Sequence, residues 1–281
     1  MLVEVSCQQM YNVVYYKSRR PEIRSRLPSQ IAKFVKNIIE LLSLNVTLGE
    51  SDILRDLSLQ IPEAQWCSIV GPSGCGKSTL LRALAGLIEG TTEKFVTDFK
   101  TPAFVFQDPT LMPWRTVRDN VVLPLELKGS SDGGRSRIEM TSIQETIECV
   151  GLNSEDLTKF PRQLSGGMRM RVSMARALVT QPDILFMDEP FAALDELLRQ
   201  QLNQLIHEIC QTQQLTTLFV THNVSEAVYL SDRILIMNSG GAIVSDLEIS
   251  LPRERTPDLR GSASYISQVN EVTQRLQEAM Q

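Results

Sequence analysis

The most informative absence in this sequence of 281 residues is that of any long hydrophobic run. No apolar stretch approaches the roughly 18 residues that a membrane-spanning helix needs, so any part that a membrane plays is expected to come from another chain. The amino-terminal region also lacks a basic segment followed by an apolar stretch and a small-residue cleavage site, so no secretory signal is predicted. These absences favour a cytoplasmic location.

Cysteine and histidine are too few and too scattered to predict a metal centre. The five cysteines include no C-x-x-C pair, which favours a reducing compartment over a disulfide or zinc framework. The two histidines, His207 and His222, exclude a histidine-rich metal site. His207 falls inside a helix predicted over Leu202–Cys210, where a surface or packing role is expected.

Positive charge is in excess only in one short segment. The net charge is 28 − 33 = −5, yet residues 1–36 carry seven basic and two acidic residues, so this segment is +5 and the rest is −10. An acidic body has no bulk attraction for nucleic acid, and no nucleic-acid partner is expected. With 42% hydrophobic and 22% charged residues, the composition is that of a globular chain of one large or two ordinary domains.

The basic extension, residues 1–37, has three open interpretations. It can be a stretch read from an upstream start codon that is not used, it can be a disordered tail, or it can contact a membrane surface or a partner. The third interpretation places an apolar group behind the arginines, made of Ile31, Phe34, Val35 and Ile38.

Apolar runs of strand length alternate with helix-length segments, which predicts an α/β fold with a largely parallel sheet. The predicted strands are Trp66–Val70, Ala103–Phe106, Ile184–Met187 and Thr216–Val220. A helical subdomain is predicted at about residues 108–178, inserted into this core. The tail, residues 251–281, contains a helix predicted over Ser262–Met280, which either packs on its own domain or docks a partner.

A glycine-rich segment predicts a phosphate-binding loop. Residues 71–78 read G-P-S-G-C-G-K-S and match G-x-x-x-x-G-K-[ST], directly after a predicted strand and before a helical run over Ser78–Leu87. Glycines let backbone N–H groups surround an anion, and the helix N-terminus adds its dipole. Lys77 is expected to reach the β- and γ-phosphates of ATP, and the Ser78 hydroxyl to ligate Mg²⁺. The predicted nucleotide-binding residues of this loop are Gly71, Pro72, Ser73, Gly74, Cys75, Gly76, Lys77, Ser78 and Thr79.

Two adjacent carboxylates follow the apolar strand that ends at Met187. A strand buried on both faces offers no solvent to these charges, so a cation or a reaction is needed to explain them. Asp188 fits a Mg²⁺ position. Glu189 points differently and can act as general base on the water that attacks the γ-phosphate.

The segment Leu164-Ser165-Gly166-Gly167-Met168 resembles the signature of nucleotide-binding subunits of ATP-binding cassette (ABC) transporters. Physically it is a second anion site, because Ser165 can cap a helix whose free N–H groups face a phosphate together with those of Gly166 and Gly167. The resemblance implies a P-loop NTPase (RecA-like) core, an antiparallel β subdomain and an inserted α-helical subdomain. It also implies a head-to-tail dimer in which Ser165 of one copy contacts the γ-phosphate held by the other.

The other motifs follow in the order found in that family, over residues 38–250. Gln107 resembles the glutamine that touches Mg²⁺ and the attacking water. Asp195 ends the segment Ala192-Ala193-Leu194-Asp195, which resembles the loop that crosses the dimer interface, and His222 resembles the histidine that contacts the γ-phosphate and positions the general base. Leu48 stands where the family usually has an aromatic residue that stacks on adenine, so weaker base discrimination is expected.

Residues 106–117 and 168–172 most resemble importers of nitrate, sulfonate, taurine and related solutes. The resemblance implies an ATPase on the cytoplasmic face of the membrane, with a permease as partner and a solute-binding protein as an indirect one. Met112, Pro113 and Trp114 form either an apolar patch for the permease or a packed loop with Trp114 buried. Two alternatives stay open: a soluble clamp or assembly scaffold without a transporter, and an exporter ATPase.

Overall fold

The computed structural model describes residues 36–131 and 140–280. The apolar positions Ile31, Phe34 and Val35 of the basic extension lie outside these residues. None of the helices in the two described ranges combines the length and the apolar character that crossing a bilayer needs.

The strands form two sheets. In chain order they are β1 (Asn37–Leu48), β2 (Ser51–Pro62), β3 (Trp66–Val70), β4 (Lys94–Thr97), β5 (Pro102–Val105), β6 (Ile184–Asp188), β7 (Thr216–Val220), β8 (Arg233–Met237) and β9 (Ile243–Glu248). The larger sheet has the order β5-β6-β7-β3-β8-β9 and is parallel except for the β8–β9 pair. Strands β3, β6 and β7 are buried along their whole length, as expected for a sheet covered on both faces.

The α-helices described are α1 (Lys77–Leu84), α2 (Val117–Ser131), α3 (Met140–Cys149), α4 (Gly166–Leu178), α5 (Glu196–Gln213), α6 (Val224–Leu230) and α7 (Ala263–Ala279). Helices α2, α3 and α4 come between β5 and β6, where the sequence predicts the helical subdomain. Their apolar faces share one core with the larger sheet, so this lobe is continuous with the body.

The smaller sheet is antiparallel with the order β2-β1-β4, as the family resemblance implies. Its first strand begins at Asn37, and Ile38 is buried in a core that it shares with α1. The proposed surface contact through Ile38 is therefore wrong, because this side chain already packs inside the protein.

Helix α1 is shorter than the predicted run over Ser78–Leu87. Gly86 has a φ of 71°, and the amides of Gly86 and Leu87 donate to the carbonyls of Ala83 and Arg82. A left-handed glycine with such bonds ends a helix by satisfying its last carbonyl groups. Strand β5 is likewise shifted by one residue, so that Phe106 lies beyond it.

The tail helix α7 packs on the protein's own core through Tyr265 and Val272. The Tyr265 hydroxyl donates to the Ser225 carbonyl at 2.8 Å, which ties the helix to α6. The structure thus favours own-domain packing of the tail over partner docking.

Candidate functional site

The loop between β3 and α1 is shaped as an anion cradle. Gly74 and Gly76 have φ angles of 80° and 100°, a region that L side chains rarely adopt. A Cβ at Gly76 would also lie 2.8 Å from Leu54 Cδ2, so space as well as backbone angle requires glycine. No side chain caps α1 at Gly76, which leaves the amides of its first turn available to an anion.

Lys77 is held over this loop. Its Nζ donates to the carbonyl oxygens of Gly71 and Pro72 at 2.9 and 2.8 Å. Cys75 Sγ lies 4.0 Å from the same ammonium, and burial raises the pKa of the Cys75 thiol. A neutral thiol is a poor nucleophile, so Cys75 serves as packing within the loop. Ser73 and Gly74 are exposed at its rim, and Thr79 is half-buried on α1.

A hydroxyl and a carboxylate meet beside the cradle. The Ser78 Oγ donates to Asp188 Oδ1 at 2.7 Å, and Arg82 Nη2 lies 3.5 Å from Asp188 Oδ2. Asp188 is 5% exposed, and a charge this buried needs such partners. Arg82 has no motif to mark it, and its part was not predicted from the sequence.

Glu189 and His222 form a pair at the carboxyl ends of β6 and β7. His222 Nδ1 lies 3.0 Å from Glu189 Oε2, and since a carboxylate only accepts, Nδ1 carries the proton. Glu189 has a left-handed φ of 47°, and its amide donates to the Val220 carbonyl at 2.9 Å. Strain of this kind in a non-glycine residue is concentrated at functional sites.

The signature and the Asp195 segment lie at the exposed starts of two packed helices. Ser165 Oγ accepts from the Met168 amide at 3.2 Å and caps α4, and Asp195 Oδ1 accepts from the Leu198 amide at 3.0 Å and caps α5. A Cβ at Gly167 would lie 2.5 Å from Leu198 Cδ2, so glycine permits this contact between the helices.

Several predicted site residues are not brought together within one chain. Among the described residues, no hydrogen bond or ion pair joins Ser165, Gly166 or Asp195 to residues 71–79. Gln107 is exposed after β5 and makes no hydrogen bond to Asp188 or Glu189 in the part of the chain described.

The loop that follows Gln107 is held by two side chains that sequence reasoning missed, the half-buried Arg176 and the buried Asn120. Arg176 of α4 donates to the carbonyls of Pro109 and Thr110 at 2.8 and 2.9 Å. Asn120 of α2 accepts from the Met112 amide at 2.7 Å and donates to the Thr116 carbonyl at 2.9 Å. Asn120 stands beside two valines in the sequence of α2, and a polar residue next to apolar ones was the signal that could have found it.

The same loop displays Trp114, which is 72% exposed. The alternative of a packed loop with Trp114 buried is therefore wrong. Such exposure of a large aromatic side chain marks a contact surface more often than a structural one.

Comparison with known proteins agrees with this geometry. A family model described as ABC transporter matches residues 54–192. The aliphatic sulfonates import ATP-binding protein SsuB of Rhodopseudomonas palustris is 41% identical over 242 residues, which cover 85% of this chain and 83% of that protein. The chain belongs to the ABC transporter ATPase family. The nitrate import ATP-binding protein NrtC of Synechococcus elongatus is 39% identical over 241 residues, which cover 82% of this chain and 36% of that protein.

Solved ABC structures share the fold. The dimeric post-hydrolysis structure of the ATP-binding cassette MJ0796, bound to ADP and Pi, has a TM-score of 0.64 at 29% identity and covers 75% of this chain and 98% of that one. The structure of cbiO1 from Clostridium perfringens, which is part of the ABC transporter complex cbiONQ, has a TM-score of 0.68 at 21% identity. The match covers 85% of this chain and 97% of cbiO1. As a member of this family, the chain binds and hydrolyses ATP.

Proposed function

We propose that two copies of this ABC ATPase close head to tail over two ATP molecules. The observation that carries the proposal is the separation within one chain of a complete cradle from the exposed helix starts at Ser165 and Asp195. Because a two-fold dimer brings each surface to the other copy, both half-sites are completed at once. The MJ0796 structure, which is dimeric and bound to ADP and Pi, supports this arrangement.

In each site, the cradle amides and Lys77 bind the phosphates, and Glu189 is the general base for the attacking water. His222 contacts the γ-phosphate and holds Glu189 through their 3.0 Å hydrogen bond. Gln107 would orient the attacking water and help to hold the metal ion. Ser165 and Asp195 act across the interface on the partner's nucleotide.

The Ser78–Asp188 pair fits Mg²⁺. Both groups are hard oxygen donors, and their oxygens lie 2.7 Å apart at the end of the cradle. Mg²⁺ is usually held by one or two carboxylates together with substrate phosphates and water, and this donor set has that composition. Ser78, Asp188 and Gln107 would hold the ion, which would neutralise developing phosphate charge.

The Glu189→Gln variant tests the site. Gln cannot accept the proton, so ATP is expected to bind and stabilise the dimer while phosphate release falls by about a hundredfold or more, as for loss of a positioned base. Nucleotide binding, size-exclusion chromatography with ATP and phosphate release measure the three effects. The control is Glu208→Gln, an exposed carboxylate on α5. Near-normal hydrolysis by Glu189→Gln would remove this residue from the general-base role.

We further propose that the ATPase powers import of a small oxyanionic solute of the nitrate, sulfonate or taurine type. The SsuB and NrtC proteins are named for sulfonate and nitrate import, and both resemble this chain over more than four fifths of its length. The chain then lies on the cytoplasmic face of the membrane, bound to permease subunits that an extracytoplasmic solute-binding protein loads. Met112 and Trp114 supply the apolar contact to the permease.

Purification from detergent-solubilised membranes tests the importer proposal. The wild-type chain is expected to retain its permease, while Trp114→Ala loses it without loss of basal ATPase activity. The matched control is Leu127→Ala, which removes another exposed apolar side chain of the lobe. Uptake of labelled solute by vesicles containing the complex gives the direction. Outward transport would identify an exporter, and a complex that never enters the membrane fraction would identify a clamp or scaffold.

A further inference from the structure

A buried carboxyl group lies four residues after His222 in the chain and has no part in the proposed chemistry. Glu226, in α6, is 5% exposed. Burial raises its pKa, against the opposing influence of Thr221, Asn203, Arg199 and His222. A carboxyl group in such a place is costly unless its neighbours use it.

Glu226 holds both residues that flank His222. The Thr221 hydroxyl donates to Glu226 Oε2 at 2.5 Å, and the Asn223 amide donates to the same hydroxyl oxygen at 3.1 Å. In return, the Glu226 amide donates to Asn223 Oδ1 at 3.1 Å. The backbone position of His222, and so its reach to Glu189, depends on this small network.

The other side of Glu226 faces α5. Asn203 is buried on that helix, and it and the charge of Arg199 both act to lower the pKa of the Glu226 carboxyl group. Arg199 Nη2 donates to the Leu194 carbonyl at 3.0 Å, immediately before Asp195. Helix α5, which begins directly after Asp195, thus contacts α6, the helix that carries Glu226.

Three polar atoms in this region are buried and lack a hydrogen-bond partner among the described residues: Glu226 Oε1, Asn203 Oδ1 and Arg199 Nε. Buried polar atoms without a hydrogen-bond partner are rare in native proteins, and each needs an explanation. The set contains one donor and two acceptors on facing elements.

We propose that Glu226 is a positioning residue that couples the Asp195 end of α5 to the loop carrying His222. This inference rests on the proposed function, in which Asp195 faces the partner's nucleotide and His222 faces the chain's own. Engagement of Asp195 at the interface would then set the position of His222 and make hydrolysis in one site depend on closure at the other.

Steady-state ATPase kinetics test the coupling. Glu226→Ala is expected to lower kcat about tenfold with KM for ATP changed less than about threefold, because the chemistry and not nucleotide binding is affected. Glu226→Gln keeps an oxygen for the Thr221 hydroxyl and should restore most of kcat. The matched control is Asp156→Ala, which removes a carboxylate as deeply buried in the helical lobe and should leave kcat and KM unchanged.

A double-mutant cycle distinguishes coupling from a general structural effect. Asp195→Ser keeps a helix-capping hydroxyl but removes the carboxylate. We expect Asp195→Ser combined with Glu226→Ala to be no slower than the slower single variant. If Glu226→Ala does not fold, Thr221→Val replaces it in the cycle, since it removes the same link and keeps the side-chain shape.

Additive losses in the cycle would overturn the proposal, as would an unchanged kcat in Glu226→Ala. These outcomes are separable from failure of the proposed function. If Glu189→Gln is inactive while Glu226→Ala is fully active, the general base stands and the coupling fails. If Glu189→Gln retains hydrolysis, the general-base role fails whatever Glu226 does.

Discussion

At the scale of single residues, the site depends on side chains held in positions that cost free energy. Glu189 adopts a left-handed backbone angle, a cost of about 1–3 kcal/mol that the surrounding strands must offset. The Val220 carbonyl that receives the Glu189 amide belongs to β7, the strand that leads to His222. The same strand therefore fixes both members of the pair.

The Lys77→Ala variant should lose nucleotide affinity. Its ammonium donates to two loop carbonyls, and nucleotide binding is expected to exchange these bonds for stronger ones to phosphate. Loss of one or two charge-assisted bonds weakens ATP binding by at least about 2 kcal/mol, or roughly thirtyfold. Titration calorimetry measures the effect, with the exposed Lys100→Ala as control. Equal affinities of the two variants would contradict a phosphate contact by Lys77.

His207 predicts a pH dependence of stability. Burial, with the positive charges of Arg255 and Arg253, lowers its pKa from 6.5 to about 4. Between these two values the unfolded chain binds a proton that the folded chain does not, so stability falls as pH falls through this window. The full effect is about 3 kcal/mol below pH 4.

Urea unfolding of wild type and His207→Phe between pH 7 and 4 measures this contribution. Phe keeps a ring beside Trp66, whose centroid lies 6.0 Å from that of His207. As the pH falls, the free energy of unfolding of His207→Phe should decline less steeply than that of wild type. The control His222→Gln, at an exposed histidine, should decline as steeply as wild type. Parallel curves for wild type and His207→Phe would show that His207 titrates normally.

At the scale of elements, the strands were the easiest to predict and the ends of helices the hardest. Strands β3 and β7 match their predicted bounds because a strand buried on both faces is a continuous apolar run. Helix α1 ends before its apolar pattern does, since Gly86 turns the chain and leaves Leu87 exposed. Which apolar residue lies inside is decided by packing that periodicity does not encode.

The tail helix α7 offers a test of packing at this scale. Val272 is buried and Ile266 is about half exposed on the same helix. Val272→Ala removes buried methyl groups and should lower the free energy of unfolding by about 2 kcal/mol. Ile266→Ala should change it by less than about 0.5 kcal/mol. Denaturant unfolding compares them, and an unaffected Val272→Ala would mean that the helix is not docked in solution.

At the scale of the whole molecule, the proposed dimer makes a prediction that no single chain can satisfy. In the proposed dimer, each site would take its cradle from one copy and Ser165 from the other. A Lys77→Ala chain and a Ser165→Arg chain should each be inactive alone. In a mixed dimer, however, the intact cradle of the second meets the intact signature of the first.

Mixing the two inactive variants should therefore restore ATPase activity. Half of the dimers are mixed and each has one intact site of two, so activity reaches at most about a quarter of the wild-type value. The readout is phosphate release after the two chains are mixed at equal concentration. A mixture as inactive as its components would argue that each site is built within one chain.

The sequence by itself determined those parts of the protein whose functional residues are neighbours in the chain. The cradle at residues 71–79 and the carboxylates Asp188 and Glu189 could be predicted because a phosphate loop and a strand end are local structures. Only the tertiary structure decided what distant segments do to one another. It exposes Trp114 on a loop held by Arg176 of α4, and it places Arg82 beside the buried Asp188. These contacts join elements far apart in the chain, and residue spacing carries no record of which buried polar groups will meet.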